Sequence, residues 1–207
     1  MEQVVIFIDG SNLYYGLKRN NLHKSIDFAK FAAALCKTRK LVKICYYVVA
    51  YKKEYNEAIY EKQQKFLTRL RHTPQLEISY GRLIKREAVI DEQKILKDLD
   101  QPFAQEILKR LKRIVTLAEK RIDVNIAVDM VAMAYNNFYD TAILVSSDAD
   151  FLKAIETVRA QAKRVENAYF EIGHSNQLKK ACDGFTLIDQ NLISKCEIKE
   201  YDDSWWF

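Results

Sequence analysis

The feature that most constrains this chain is the run Val4-Val5-Ile6-Phe7-Ile8, which breaks at once into Asp9-Gly10-Ser11-Asn12. A segment that is apolar at every position, rather than at alternate ones, suits a parallel strand covered on both faces. Comparable β-branched or aromatic runs recur at Lys43–Ala50, Leu76–Tyr80, Thr141–Ser146, Arg164–Phe170 and Phe185–Ile188. Between them, Asp27–Cys36, Glu54–Arg71, Val124–Tyr135, Phe151–Ala162 and Asn176–Cys182 carry helical spacing, with Ser25 or Asp27, and Asp123, placed as N-caps. The alternation predicts an α/β fold, a doubly wound three-layer α/β/α sandwich around a mainly parallel central sheet.

With 207 residues, five Gly, two Pro and no low-complexity tract, the chain reads as a single domain over 1–207. The rhythm breaks between Arg82 and Arg121, where charge dominates and Phe103, Ile107, Leu108, Leu111, Ile114, Val115 and Ala118 mark one face of a long helix. That stretch is expected to be a charged helical insertion. An aromatic tail over 197–207 ends Ser204-Trp205-Trp206-Phe207 and is expected to pack on the body or on a second subunit, which would make a homodimer.

Several function classes fall away. The formal charge of +5 is too mild to single out nucleic acid or membrane. Cys36, Cys45, Cys182 and Cys196 show no C-x-x-C spacing, so buried free thiols in a reducing, cytoplasmic setting are expected. No basic leader opens the sequence and no apolar stretch approaches the roughly 18 residues of a span, so neither export signal nor membrane anchor is expected. His23, His72 and His174 are scattered, and neither G-x-S-x-G nor a P-loop occurs.

The remaining chemistry is acidic. Asp9 ends the first strand, where open α/β sheets bind ligands, although a carboxylate there also reads as a helix cap. Ile143-Leu144-Val145-Ser146-Ser147-Asp148-Ala149-Asp150 repeats the pattern, and two carboxylates two residues apart suit Mg²⁺ or Mn²⁺, or simply cap a helix. Asp123 opens the helix of Ile122-Asp123-Val124-Asn125-Ile126-Ala127-Val128-Asp129-Met130, apolar enough all round to lie in the core. Asp129 lies within that run and calls for a partner; six residues turn a helix by about 240°, so Asp123 and Asp129 cannot share a face. Among basic residues, Lys37, Arg39, Lys40, Lys109, Arg110, Lys112 and Arg113 could track phosphates, but Arg82, Lys85 and Arg86, just past a strand end, are the better candidates.

Phe7-Ile8-Asp9-Gly10-Ser11-Asn12-Leu13, Lys120-Arg121-Ile122-Asp123-Val124 with Ala127-Val128-Asp129, and Leu144-Val145-Ser146-Ser147-Asp148-Ala149-Asp150-Phe151 together resemble a LabA-like NYN domain, a branch of the PIN-like nuclease superfamily. Lys163-Arg164-Val165-Glu166 and Leu178–Phe185 are similar to the family's closing strand and helix. The resemblance implies a PIN-like fold and a Mg²⁺- or Mn²⁺-dependent ribonuclease with metal on Asp9, Asp123, Asp148 and Asp150. By the resemblance Asn12 would sit beside them and help position ligand or water; from their place in the sequence, Ser11 and Ser146 are expected to support the site and Asp129 to belong to the surrounding network. Arg121 and Ser147 stand where the family carries small residues, and Ala162 where a Gly is customary. Two other functions compete: a non-catalytic RNA-binding or regulatory protein on the same fold, and a D-x-D transferase or small-molecule phosphohydrolase, against which the missing D-x-D-x-T after Asp9 argues.

Overall fold

The computed structural model of the chain describes residues 1–22, 25–87, 96–97, 101–111 and 115–198, and for 85–87, 101, 109–111 and 115–116 the backbone alone. The order is β1 (Gln3–Asp9), α1 (Gly10–Arg19), α2 (Phe28–Cys36), β2 (Lys40–Val49), α3 (Glu57–Leu70), β3 (Leu76–Glu87), α4 (Gln101–Leu111), β4 (Val115–Lys120), α5 (Ile122–Tyr135), β5 (Thr141–Val145), a 3₁₀ turn (Ala149–Phe151), α6 (Leu152–Ala160), β6 (Arg164–Tyr169), α7 (Asn176–Ala181), β7 (Gly184–Leu187) and α8 (Gln190–Lys195). The strands form one sheet in the order β4-β3-β2-β1-β5-β6-β7, parallel throughout except for β4 against β3.

The opening apolar run explains itself in this sheet. Val4 to Ile8 are all fully buried. Val4, Ile6 and Ile8 enter one core cluster with Leu13, Leu17, Phe31 and Phe66, while Val5 and Phe7 enter another with Ile126, Met130, Ile155 and Val158. Both faces of β1 therefore need an apolar partner, each side chain contributing about 1.5–3 kcal/mol by burial. The chain walks outward from β1 through β2 to β3, then returns to the other side of β1 at β5. The reversal leaves a crevice beyond the carboxyl ends of β1 and β5, where open α/β sheets bind ligands.

The structure departs from the sequence reading in four places. First, Gly10–Arg19 is helical, with Asp9 as its N-cap and Leu13 and Leu17 buried one turn apart. Its internal glycine is a packing requirement: a Cβ on Gly16 would lie 2.2 Å from the Phe170 ring. Second, the stretch expected as one long helix is α4 followed by β4, which pairs antiparallel with a β3 that runs on to Glu87. Arg82, Lys85 and Arg86 thus lie inside β3 rather than after it. Third, α5 is not enclosed all round, since Val124 and Val128 are 65% and 58% exposed. Fourth, its N-cap is Arg121, not Asp123, with φ of 77° and no side-chain cap bond.

The four cysteines are buried free thiols, as expected. No helix among the described residues is long and apolar enough to cross a membrane. The aromatic tail from Lys199 onward, Lys112, Arg113, and the side chains of Lys85, Arg86, Lys109 and Arg110 lie outside the described residues.

Candidate active site

β1 and β5 run in register with Ile8 beside Val145, which sets Asp9 level with Ser146. Gly10 lets the chain turn into α1 immediately, because a Cβ there would lie 2.7 Å from the Tyr47 carbonyl oxygen. Asp9 is consequently fixed at the floor of the crevice, 5% exposed. One carboxylate oxygen accepts the Asn12 amide N–H at 3.0 Å, the other a long hydrogen bond of 3.5 Å from the Ser146 hydroxyl. The capping role is real, yet capping alone does not account for a buried charge without a cation.

The loop after β5 is held over this floor. Asn12 Oδ1 accepts the Ser147 N–H at 3.0 Å, Ser146 Oγ accepts the Asp148 N–H at 3.2 Å, and the Asp148 carboxylate accepts the Asp150 N–H at 2.9 Å. Asn12, Ser146 and Asp148 thereby lock the loop to the start of α1. From the other side, the left-handed turn at Arg121 brings Asp123 into the first turn of α5, facing the same cleft.

The cleft encloses about 470 Å³ and is lined by Asp9, Ser11, Asn12, Asp123, Asp148 and, from the arm, Glu119, with Tyr15, Arg19 and Lys120 at its wall. Burial pushes the Asp9 carboxyl up to about 6, against the lowering hydrogen bond from Asn12, and Asp123, Glu119 and Asp148 push it further. Glu119 is raised by partial burial and by Asp123, despite the Ser11 hydroxyl at 2.7–2.8 Å from its oxygens. Asp123, exposed as a residue but partly desolvated at its carboxyl, is raised by that desolvation and then by Asp148 and Asp150. Among the described residues none of these carboxylates forms an ion pair.

Of the sequence candidates, Asp9, Ser11, Asn12, Asp123 and Asp148 line the cleft, Ser146 supports its floor, and exposed Asp150 acts on Asp123 from the rim. Asp129 is not brought there: it accepts the Tyr47 hydroxyl at 2.8 Å and lies near Lys43 and Cys45, which answers its need for a partner. Glu119 was hidden within the segment read as helix; its signal was the β-branched start Ile114-Val115-Thr116. Among the described residues no three His, Cys, Asp or Glu side chains converge closely enough to hold a metal ion. The donor set nonetheless fits a hard cation, being all oxygen and mutually repulsive.

The model of the NYN domain matches residues 3–189. The chain belongs to the NYN family. NYN domains belong to the PIN-like nuclease superfamily, which points to a nuclease-like, RNA-related function of a kind that generally uses divalent metal. A solved structure of a protein of unknown function from Vibrio parahaemolyticus is similar at 20% identity with a TM-score of 0.61, over 92% of this chain and 94% of that one, a likeness of fold alone. No curated protein matches the chain.

Proposed function

We propose that this NYN domain is a divalent-metal-dependent ribonuclease hydrolysing RNA phosphodiester bonds at the cleft beyond the carboxyl ends of β1 and β5. The observation carrying the reading is the convergence of Asp9, Glu119, Asp123 and Asp148, from three separate stretches of chain, around one cleft in which, among the described residues, none of them is ion-paired, even with Arg19 and Lys120 in its wall. Like charges so placed favour either protons or a bound cation. Asp9, Asp123 and Asp148 would hold Mg²⁺ or Mn²⁺, with Asp150 and Glu119 adding negative potential; exposed Asp123 and Asp150 have the rotamer freedom to close on it. When bound, such a metal neutralises phosphate charge and lowers the pKa of water.

The chain's own groups do the rest. Asp9, its carboxyl raised to about 6 by burial and by the neighbouring carboxylates, would be held ionised by a cation in the cleft, and one of the cleft carboxylates would accept a proton from an attacking water. Arg19 and Lys120 stand where they can hold phosphate oxygens. Asn12 and Ser146 keep Asp9 and the Asp148 loop in place. The three-layer arrangement expected from the sequence is supported by the two core clusters on β1, and a cytoplasmic setting by the four free thiols.

The test is RNA cleavage by the purified chain, lost in EDTA and restored by Mn²⁺ or Mg²⁺. Asp9→Asn and Asp148→Asn should remove it while the melting temperature stays near or above that of the native chain. Full activity in those variants would contradict the reading. The separation of the carboxylates favours one alternative, a non-catalytic RNA-binding protein on the same fold. Tight RNA binding with no cleavage across both metals would establish that alternative.

A further inference from the structure

A second pocket opens at the same end of the sheet, on the side of the arm. It encloses about 390 Å³ and is lined by Tyr51, Lys52 and Tyr55 from the segment after β2 and by Arg82, Leu83 and Ile84 from β3. Two observations join it to the acidic cleft. Arg82, which lines this pocket, is the register partner of Lys120, which lines the cleft, so the two basic residues lie side by side on one face of the β3–β4 pair. Tyr51 lies close enough to Tyr15 and Glu119, both cleft residues, that their charges add to burial in disfavouring its ionised form.

The chemistry of this pocket differs from that of the cleft. Two half-buried tyrosines are flanked by exposed Lys52 and Arg82, and Lys52 Nζ stands 5.6 Å from the centre of the Tyr55 ring. The ion pair of Lys52 with Glu54, at 3.3 Å, is open to solvent, so a phosphate can compete for that ammonium. Aromatic faces beside exposed cations suit unpaired nucleotides, whose bases can stack while the phosphates are neutralised; in a duplex the base faces are already taken.

We infer that the pocket formed by Tyr51, Lys52, Tyr55 and Arg82 is a second subsite for single-stranded RNA, holding a nucleotide adjacent to the one in the acidic cleft. The base stacks against Tyr55 or Tyr51, Lys52 and Arg82 contact the backbone, and Lys120 with Tyr15 bridges to the cleft. The inference rests on the ribonuclease reading for the identity of the ligand, and adds that the strand enters over the β2 and β3 side.

The experiment has two arms on the full chain, both in EDTA. Ultraviolet cross-linking of an oligouridylate carrying 4-thiouridine, followed by peptide mass mapping, should mark the segment 51–55 or Arg82 as well as residues around Tyr15. Titration of fluorescent decauridylate should show Tyr55→Ala weakening binding roughly five- to fiftyfold. Lys52→Ala with Arg82→Ala should lower the slope of log affinity against log salt by about 1.4. Circular dichroism melting confirms that each variant is folded. Cross-links confined to the cleft, with both variants binding as the native chain does, would overturn the subsite and leave the nuclease reading standing. Absence of RNA binding by the native chain in EDTA would overturn the subsite, while RNA cleavage with Mn²⁺ or Mg²⁺ decides the nuclease reading separately.

Discussion

The two ends of the central sheet handle charge in opposite ways. Where the strands begin, charges meet their opposites: Arg39 makes a two-pronged contact with Glu166 at 2.8 and 2.9 Å and reaches Glu2 at 3.3 Å, and Lys43 pairs with Glu77. Glu2 is held below the usual carboxylate range by the Thr141 hydroxyl and then by Arg39. Where β1 and β5 end, Asp9, Glu119, Asp123 and Asp148 face one another, and the carboxyls of Asp9, Glu119 and Asp123 all shift upward. One end spends its ionisable groups on holding strands together. The other keeps carboxylates that destabilise the fold unless something positive arrives, which is the arrangement expected of a functional site.

The sharpest break between the ends should appear in activity. Asp148→Asn should reduce RNA cleavage on the order of a hundred- to a thousandfold with little change in melting temperature, by loss of transition-state charge stabilisation. Arg39→Ala should leave the cleavage rate per folded molecule unchanged.

Stability against pH, measured in EDTA by denaturant unfolding, should separate the ends next. The folded-state value of Asp9, about 6, lies above its ordinary 3.8, so the folded chain binds this proton more tightly than the unfolded chain. That stabilisation is complete below about pH 4 and is lost as pH rises through about 6, at most about 3 kcal/mol in all. Asp9→Asn should flatten this part of the profile; an unchanged slope would place the strain elsewhere. At the opposite end Arg39→Ala should cost about 2 kcal/mol, since it leaves the partly buried Glu166 unpaired.

Two smaller effects sharpen the contrast. Glu119→Gln should weaken Mn²⁺ binding, read by calorimetry, about tenfold through loss of surrounding negative charge. Ala162→Gly should raise the melting temperature slightly, by about 0.5–1 kcal/mol of stability, because Ala162 sits at φ of 55° in the left-handed region.

Much of this was legible in the chain. β1, β5 and the carboxylates at their ends followed from unbroken apolar runs ending in acids, and of the family resemblance the NYN domain, though not its LabA-like branch, is upheld by the match over 3–189. The unusual residues at Arg121 and Ala162 also made structural sense, since both adopt positive φ where a small residue is customary. What stayed hidden did so for physical reasons. Gly10 and Gly16 disguised α1, because helix propensity speaks against glycine and cannot register the close approach of Tyr47 or Phe170. In the arm, the spacing that continued from α4 into β4 imitated a single helical face, so Glu119 was not singled out. Arg39 looked like a candidate for phosphate, and only the pairing of β1, β2, β5 and β6 shows that Glu2 and Glu166 surround it. Long-range pairing is what local pattern cannot carry.

Anomalous diffraction from crystals soaked in Mn²⁺ tests the central claim most directly. A peak bounded by the carboxylates of Asp9, Asp123 and Asp148 is the predicted result. A cleft without Mn²⁺ at saturating concentration, whether or not the ion binds elsewhere on the surface, would contradict it.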